Sequence, residues 1–279
     1  MARENLKTIM SHDIPSIFYK YPGLIKVGYG ISYLNQLRKW HVKAQLNKLV
    51  KQYPGGSFSM TDAGCGEGQY MFPLAARCPD ATITGIDKLS GNINFANTYI
   101  AKRPFRNVHM VHSFIEECPP LQPADIVMCI GVLHFAENDA VAMRKLADMT
   151  ASGGHLLFEV PVNGKMVSPL YKWAQQRYGG YDLLNGRKRD YRPADVEALV
   201  SGAGLQITSV TYAYGTAGRL GHEIYNAPLV MMLGGNRLEQ LIGGIVINLL
   251  YPLVLLLFTI DYCFRHKDGN CMIVVAAKA

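Results

Sequence analysis

The sequence predicts an α/β fold: a doubly wound, mostly parallel sheet with helices on both faces. Two observations carry this. Strand-like and helix-like segments alternate from residue 56 to residue 214, and the strands are near-continuous apolar runs, as strands covered on both faces must be. A third is the glycine-rich turn at 64–68, between the first strand and first helix of that series. In such sheets a ligand approaches at the C-terminal strand ends.

The elements follow in order. Residues 31–52 set Ile31, Leu34, Leu37, Leu46, Leu49 and Val50 at broadly helical spacing, and the turn Tyr53-Pro54-Gly55-Gly56 stops that helix. Strands are expected at 58–63, 81–87, 108–112, 124–130 and 155–160. Helices are expected at 68–77, 91–102 and 138–151, the last closed by Gly153-Gly154. Pro193 opens a further helix as its first residue, running to about Gly202. Residues 205–214 alternate as a strand, and 270–277 form a final apolar strand.

Composition bounds the function. The 279 residues are 49% hydrophobic and only 18% charged, which excludes intrinsic disorder. The net charge of +7 is unevenly placed. Residues 1–53 hold nine basic groups (Arg3, Lys7, Lys20, Lys26, Arg38, Lys39, Lys43, Lys48, Lys51) against Glu4 and Asp13, leaving nineteen of each sign in the remainder. The basic character therefore belongs to an N-terminal arm, 1–55, which also carries Phe18, Tyr19, Tyr21, Tyr29, Tyr33 and Trp40. None of the six cysteines forms a CxxC pair or a zinc-spaced cluster, so buried thiols in a reducing compartment are expected, with no metal. The first fifteen residues carry no apolar core of signal-peptide length, so a cytoplasmic location is expected.

The chemistry lies in Asp62-Ala63-Gly64-Cys65-Gly66-Glu67-Gly68. Glycines there permit a tight turn and close approach of backbone to ligand. A dinucleotide fingerprint needs glycine at 69, where Gln69 stands. Asp62 would repel a pyrophosphate and favours a ligand carrying a cation. Asp87, at the end of the second strand and beside Lys88, sits where a carboxylate can accept ribose hydroxyls.

With these residues the chain resembles the class I S-adenosylmethionine-dependent methyltransferases of small-molecule type. The resemblance is carried by DAGCGEG at 62–68, GID at 85–87, ADIVMCIGVLHF at 124–135, ASGGHLLF at 151–158 and RPADVEALVSGAGL at 192–205. It implies a Rossmann-like, seven-stranded sheet with an antiparallel last strand. It implies S-adenosylmethionine as cofactor and S-adenosylhomocysteine as product. Asp62 and the turn Gly64, Cys65, Gly66, Gly68 would hold the methionine end, Asp87 with Lys88 the ribose, Ser113 and Phe114 the adenine, and Ile130-Gly131 the cofactor floor. The family often has an acid at the position of Ser113. His134, after the fourth strand, is the candidate catalytic base, or else a pocket-wall residue. His155 is expected to be structural, and Tyr191 and Arg189 to belong to a solvated loop or to approach the pocket.

On this plan the core comprises 56–214 and 270–279, and residues 215–269 are an insertion within what should be a tight hairpin. The insertion holds an uncharged run, 240–260, long enough to span a bilayer. A single span would strand the last strand on the far side of the membrane. The run is therefore expected to be a re-entrant hairpin breaking at Tyr251-Pro252, two interfacial helices, or a lid. The arm's interleaved lysines and aromatics suit an anionic membrane surface. The expected enzyme is a monotopic or peripheral membrane methyltransferase at the cytoplasmic face, acting on a lipophilic small-molecule or lipid acceptor, more on oxygen than carbon, with no nucleic-acid partner. The alternatives are a soluble enzyme for a small aromatic or polar metabolite, with the insertion as lid or homodimer interface, and a non-catalytic binding subunit of the same fold.

Overall fold

A computed structural model describes residues 14–279 except 104, 163, 165 and 179–186. The reading of the first residues as lacking a leader, and the charges Arg3, Glu4, Lys7 and Asp13, lie outside the described residues.

The arm folds as α1 (Ser16–Lys20), a 3₁₀ turn, α2 (Ile25–Asn35) and α3 (Leu37–Val50). The single helix expected over 31–52 is thus two, parted at Gln36, whose backbone is extended at φ −132°. The break divides the apolar stripe. Leu37, Leu46 and Leu49 are buried, while Val27, Ile31 and Leu34 on α2 stay exposed.

The core then runs β1 (Ser59–Ala63), α4 (Met71–Arg77), β2 (Thr82–Asp87), α5 (Ser90–Ala101), β3 (Val108–His112), β4 (Ala124–Ile130), α6 (Asp139–Met149) and β5 (Thr150–Pro161). It continues with α7 (Pro169–Tyr178), α8 (Pro193–Gly202), β6 (Leu205–Ala213), α9 (Thr216–Gly234), α10 (Arg237–Cys263) and β7 (Cys271–Lys278). One seven-stranded sheet has the order β3-β2-β1-β4-β5-β7-β6. β7 is antiparallel to both its neighbours, β5 and β6, and β1 to β5 are mutually parallel.

Alternation along each strand builds two cores. From β4, Ile126 and Met128 enter the layer under α3, α4 and α5, with Leu46, Phe72 and Phe95. Val127 and Cys129 enter the layer under α6 and α8, with Leu146, Val196 and Val200. β7 divides likewise, Ile273 and Val275 to the first layer, Met272 and Val274 to the second. Each such side chain contributes about 1.5–3 kcal/mol when fully buried, which is why both strands read as unbroken apolar runs.

Two boundaries differ from expectation. α6 ends at Met149, and Gly153-Gly154 lie inside β5 rather than closing the helix. A Cβ at Gly154 would come within 2.9–3.1 Å of the carbonyls of Ala151, Asp125 and Ala124, so the glycine serves backbone approach. α7 was not foreseen. Its N-terminus is held by the buried Glu223 carboxylate of α9, which accepts the amides of Val167 and Ser168.

The insertion is a hairpin of two long helices. α10 starts with a reciprocal cap, in which Asn236 Oδ1 accepts Glu239 N–H at 3.0 Å and Glu239 Oε2 accepts Asn236 N–H at 2.7 Å. Pro252 lies within α10 and does not break it; the chain turns at Gly235-Asn236 instead. Small residues let the helices close: a Cβ at Gly243 would sit 2.7 Å from the Pro228 carbonyl. At the base, buried Asp261 accepts Gly218 N–H at 2.7 Å and Gly215 N–H at 3.2 Å, capping α9. Trp40 of α3 meets Phe258 and Tyr262 edge-on at 6.3 and 5.7 Å. The outer face of α10 is bare. Leu238, Leu241, Ile242, Ile245, Leu249, Leu253, Leu256 and Ile260 are all exposed. The helix is long and apolar enough to cross a membrane, its most apolar 18 residues having a mean hydropathy of 2.5.

Candidate active site

β1 ends in a turn that only glycine can make. Gly64, Gly66 and Gly68 have φ of +83°, +54° and +83°, a region costly to residues with a Cβ. The Gly64 and Cys65 amides both donate to the Ile86 carbonyl, at 2.7 and 3.0 Å, tying the turn to the end of β2. A Cβ at Gly64 would lie 2.2 Å from Val132, and one at Gly68 would lie 2.3 Å from Phe72. At Gly66 a Cβ would meet nothing within 4 Å. Two glycines are therefore required by packing, and the third borders open space.

Two carboxylates stand at this turn. Asp87 accepts Gly66 N–H on Oδ2 and Leu89 N–H on Oδ1, each at 2.8 Å. Each oxygen keeps a second lone pair for a ligand hydroxyl. Asp62 is 1% exposed, and its Oδ2 has no hydrogen-bond partner. Burial, with a smaller contribution from Asp87, pushes its carboxyl up to about 7. A buried carboxylate with an unmet acceptor beside open backbone fits the ammonium of an amino-acid ligand, and the donor set fits S-adenosylmethionine.

Beyond β3, Ser113 N–H donates to the Asp87 carbonyl at 3.1 Å and its hydroxyl to the Phe114 carbonyl at 2.9 Å. Phe114 is 49% exposed, and Lys88 Nζ lies 5.7 Å from its ring centre. Asp87, Lys88, Ser113 and Phe114 are thus brought together. Ile130 ends β4, Gly131 follows it, and Val132 beyond them packs on Gly64. Cys65 is buried, and burial raises its thiol, which leaves it protonated and inert.

His134 sits in the 3₁₀ turn Leu133–Phe135 and is buried, its carbonyl accepting Lys188 N–H at 3.1 Å. Its ring lies in electrostatic reach of Glu159. The solvated-loop reading fails for Tyr191. It is 2% exposed, and its hydroxyl donates to Asp139 at 3.1 Å, with Arg189 pairing with the same carboxylate at 3.0 Å. These contacts pin the segment before α8 to the start of α6.

Sequence reasoning missed the polar group lying across from the glycine turn. Glu159, in register with Ile130 across β4 and β5, is 1% exposed. Arg38 Nη1 donates to both its oxygens at 3.3 Å, and Cys271 Sγ donates to Oε1 at 3.0 Å. Burial acts to raise this carboxyl, but Arg38, the Cys271 thiol and His134 outweigh it and hold it below the usual range. Gln36 Oε1 fixes the other side of the guanidinium, from Nε at 3.2 Å and Nη2 at 3.0 Å. Lys39 is also buried; it donates to Ser32 Oγ and Gln69 Oε1, each at 2.5 Å. Burial and the adjacent Arg38 lower its ammonium to about 7. Tyr29 donates to the Glu67 carbonyl. Part of the arm's basic character is therefore internal and clamps the arm on the glycine turn. The one available signal was Glu159 itself, an acid inside an apolar strand, which needs a cation from elsewhere.

The family model described as "Methyltransferase domain" matches residues 57–187. The chain is 30% identical over 128 residues to a tRNA U34 carboxymethyltransferase of Shewanella denitrificans, covering 44% of this chain and 36% of that protein. It is 25% identical over 171 residues to a trans-aconitate 2-methyltransferase of Methylobacterium nodulans, covering 58% and 64%. It thus spans about a third to two thirds of the length of these relatives. The magnesium protoporphyrin IX methyltransferase of Synechocystis PCC 6803, solved with S-adenosylmethionine, superposes with a TM-score of 0.51 at 13% identity, over 87% of this chain and 80% of that one; that likeness is one of fold. Residues 57–187 match a methyltransferase domain, and the fold is the one that the S-adenosylmethionine-bound methyltransferase adopts.

Proposed function

We propose that this protein methylates a lipophilic small-molecule or lipid acceptor, on oxygen, while seated on the cytoplasmic face of a membrane. The observation that carries the membrane part is the outer face of α10. Its 27 residues extend about 40 Å, and no charged side chain interrupts 240–260. Both ends of the hairpin return to the sheet, which favours a helix lying in the interface over one that crosses.

Asp62 is read as the partner of the cofactor's ammonium, Asp87 as the ribose acceptor, Ser113 and Phe114 with Lys88 as the adenine edge, and Ile130-Gly131 as the floor. When bound, the cofactor supplies an electrophilic methyl on a cationic sulfur whose departure leaves a neutral thioether. The protein's contribution is then positioning and exclusion of water more than strong base catalysis. The clamped arm supports the exclusion of water. His134 is the proposed group to receive an acceptor proton where one must leave.

The test is incubation with methyl-labelled cofactor and a whole lipid extract, followed by mass spectrometry. Label in the organic phase supports the reading. Label confined to water-soluble metabolites refutes it and favours a soluble enzyme, in which the bare face of α10 is covered by a second copy. Label in added tRNA points instead to the chemistry of the relative from Shewanella denitrificans.

A further inference from the structure

Resting on the methyltransferase reading, we propose that Arg38 and Tyr70 form a seat for an acidic oxygen of the acceptor. The substrate class is then an apolar molecule bearing a phenol, an enol or a carboxylic acid, bound in its ionised form.

The ion pair is lopsided. The Arg38 side chain is 32% exposed and that of Glu159 1%, so the pair is open on the arginine side and sealed on the carboxylate side. Both Glu159 oxygens already accept, Oε1 from Arg38 and Cys271 and Oε2 from Arg38, and the carboxylate is sealed from solvent. Arg38 does have capacity left. A guanidinium carries five N–H donors. Gln36 uses Nε and one Nη2 proton and Glu159 uses Nη1, so the second Nη2 proton has no protein acceptor among the described residues.

The pair adjoins the cofactor floor. Gly131 has φ +72°, and a Cβ there would stand 3.7 Å from Glu159 Oε2 and 3.9 Å from Arg38 Nη1, with nothing nearer. A second donor completes the seat. The Tyr70 hydroxyl is buried without a hydrogen-bond partner, in electrostatic reach of Arg38, Glu159 and Asp62. Buried polar atoms are nearly always paired in a folded protein, so this phenol awaits a ligand atom. Of the other titratable neighbours, Tyr214 after β6 and Cys271 on β7 are held protonated by burial, and Lys39 beside Arg38 and His134 beside Glu159 add to the positive side of the pair.

What is unmet at this end of the site is therefore donor capacity next to a fixed positive charge. An oxyanion satisfies both, and a protonated amine satisfies neither. Asp62 holds the unmet acceptor, and the methyltransferase reading assigns it to the cofactor.

The test uses 4-nitrophenol, which is coloured only as its anion, added to the full-length protein saturated with S-adenosylhomocysteine. The bound dye is expected to ionise about one pH unit below the free dye, equivalent to about tenfold tighter binding of the anion. Tyr70→Phe should reduce that shift, and the double variant Arg38→Gln/Glu159→Gln, which removes the buried carboxylate's charge along with its partner, should abolish it. Calorimetric binding of S-adenosylhomocysteine reports that each variant is folded. An unshifted dye, a dye that does not bind, or a shift unchanged in both variants overturns the seat. Wild type that binds no S-adenosylhomocysteine overturns the methyltransferase reading, and the same dye titration without it still decides the seat.

Discussion

Asp87 accepts the amide of Gly66 at 2.8 Å, so the acid expected to hold a ribose also shapes the glycine turn. One carboxylate joins the end of β2 to the loop after β1. Its loss removes ligand contacts and the turn's pre-organisation together. Asp87→Ala should weaken S-adenosylhomocysteine binding by roughly 100-fold, in line with about 1.5–3 kcal/mol for each hydrogen bond to a charged group. Titration calorimetry reads this directly, and wild-type affinity in the variant would remove Asp87 from the site.

Asp62 makes binding depend on pH. In the free protein its carboxyl titrates near 7, and pairing with an ammonium requires the ionised form. Affinity for S-adenosylhomocysteine should therefore fall as pH drops below about 7, by up to tenfold per unit, and Asp62→Asn should flatten the profile. The free protein runs the other way. A folded value raised above the unfolded one gives a contribution present at low pH and lost as pH rises from about 4 to about 7. The thermal shift produced by ligand should thus grow with pH across that window.

The glycines of the turn should separate packing from ligand approach. Gly68→Ala drives a Cβ into Phe72 at 2.3 Å and should cost several kcal/mol of stability, as overpacking adds about 1–3 kcal/mol to the left-handed backbone penalty. Gly66→Ala meets no protein atom. It should cost only about 1–2 kcal/mol yet abolish cofactor binding, because its Cβ occupies the space a ligand needs. Denaturant melts and calorimetry on the two variants should give opposite orders of severity.

The bare face of α10 should be separable from the fold. Leu249 and Leu256 are 73% and 56% exposed, so Leu249→Lys/Leu256→Lys should change stability by less than about 0.5 kcal/mol per site. Co-sedimentation with anionic vesicles should drop by about tenfold or more. Vesicle binding that survives the double variant, or a dimer that dissociates in its place, would transfer this face to a protein partner.

The strands were legible because a two-sided core leaves nearly every strand residue apolar. β3 and β4 fall at the expected bounds, and α8 begins at Pro193, where a missing N–H costs nothing. The ligand turn was legible because glycine and acid have few other uses at a strand end. The Arg38–Glu159 pair was not, since 121 residues separate the partners and only folding joins them. Arg38 and Lys39 look like surface charge in sequence, and what buries them is a helix docking over the strand ends. Pro252 misled for a related reason. A proline removes one helical hydrogen bond, and α10 has α9 packed along it to hold its course.

Ala213 and Cys271 are register partners in the β6–β7 pair, so the helical hairpin leaves the sheet and returns to it at a single rung. Seen from the cofactor core, everything from Tyr214 to Asn270 hangs on a two-strand handle. A short turn joining those strands would close the sheet without moving β1, β2 or the acids at their ends. The hairpin meets the rest of the fold at two separate places, the patch where Trp40 rests on Phe258 and Tyr262 and the carboxylates of Glu223 and Glu239 that hold the two ends of α7.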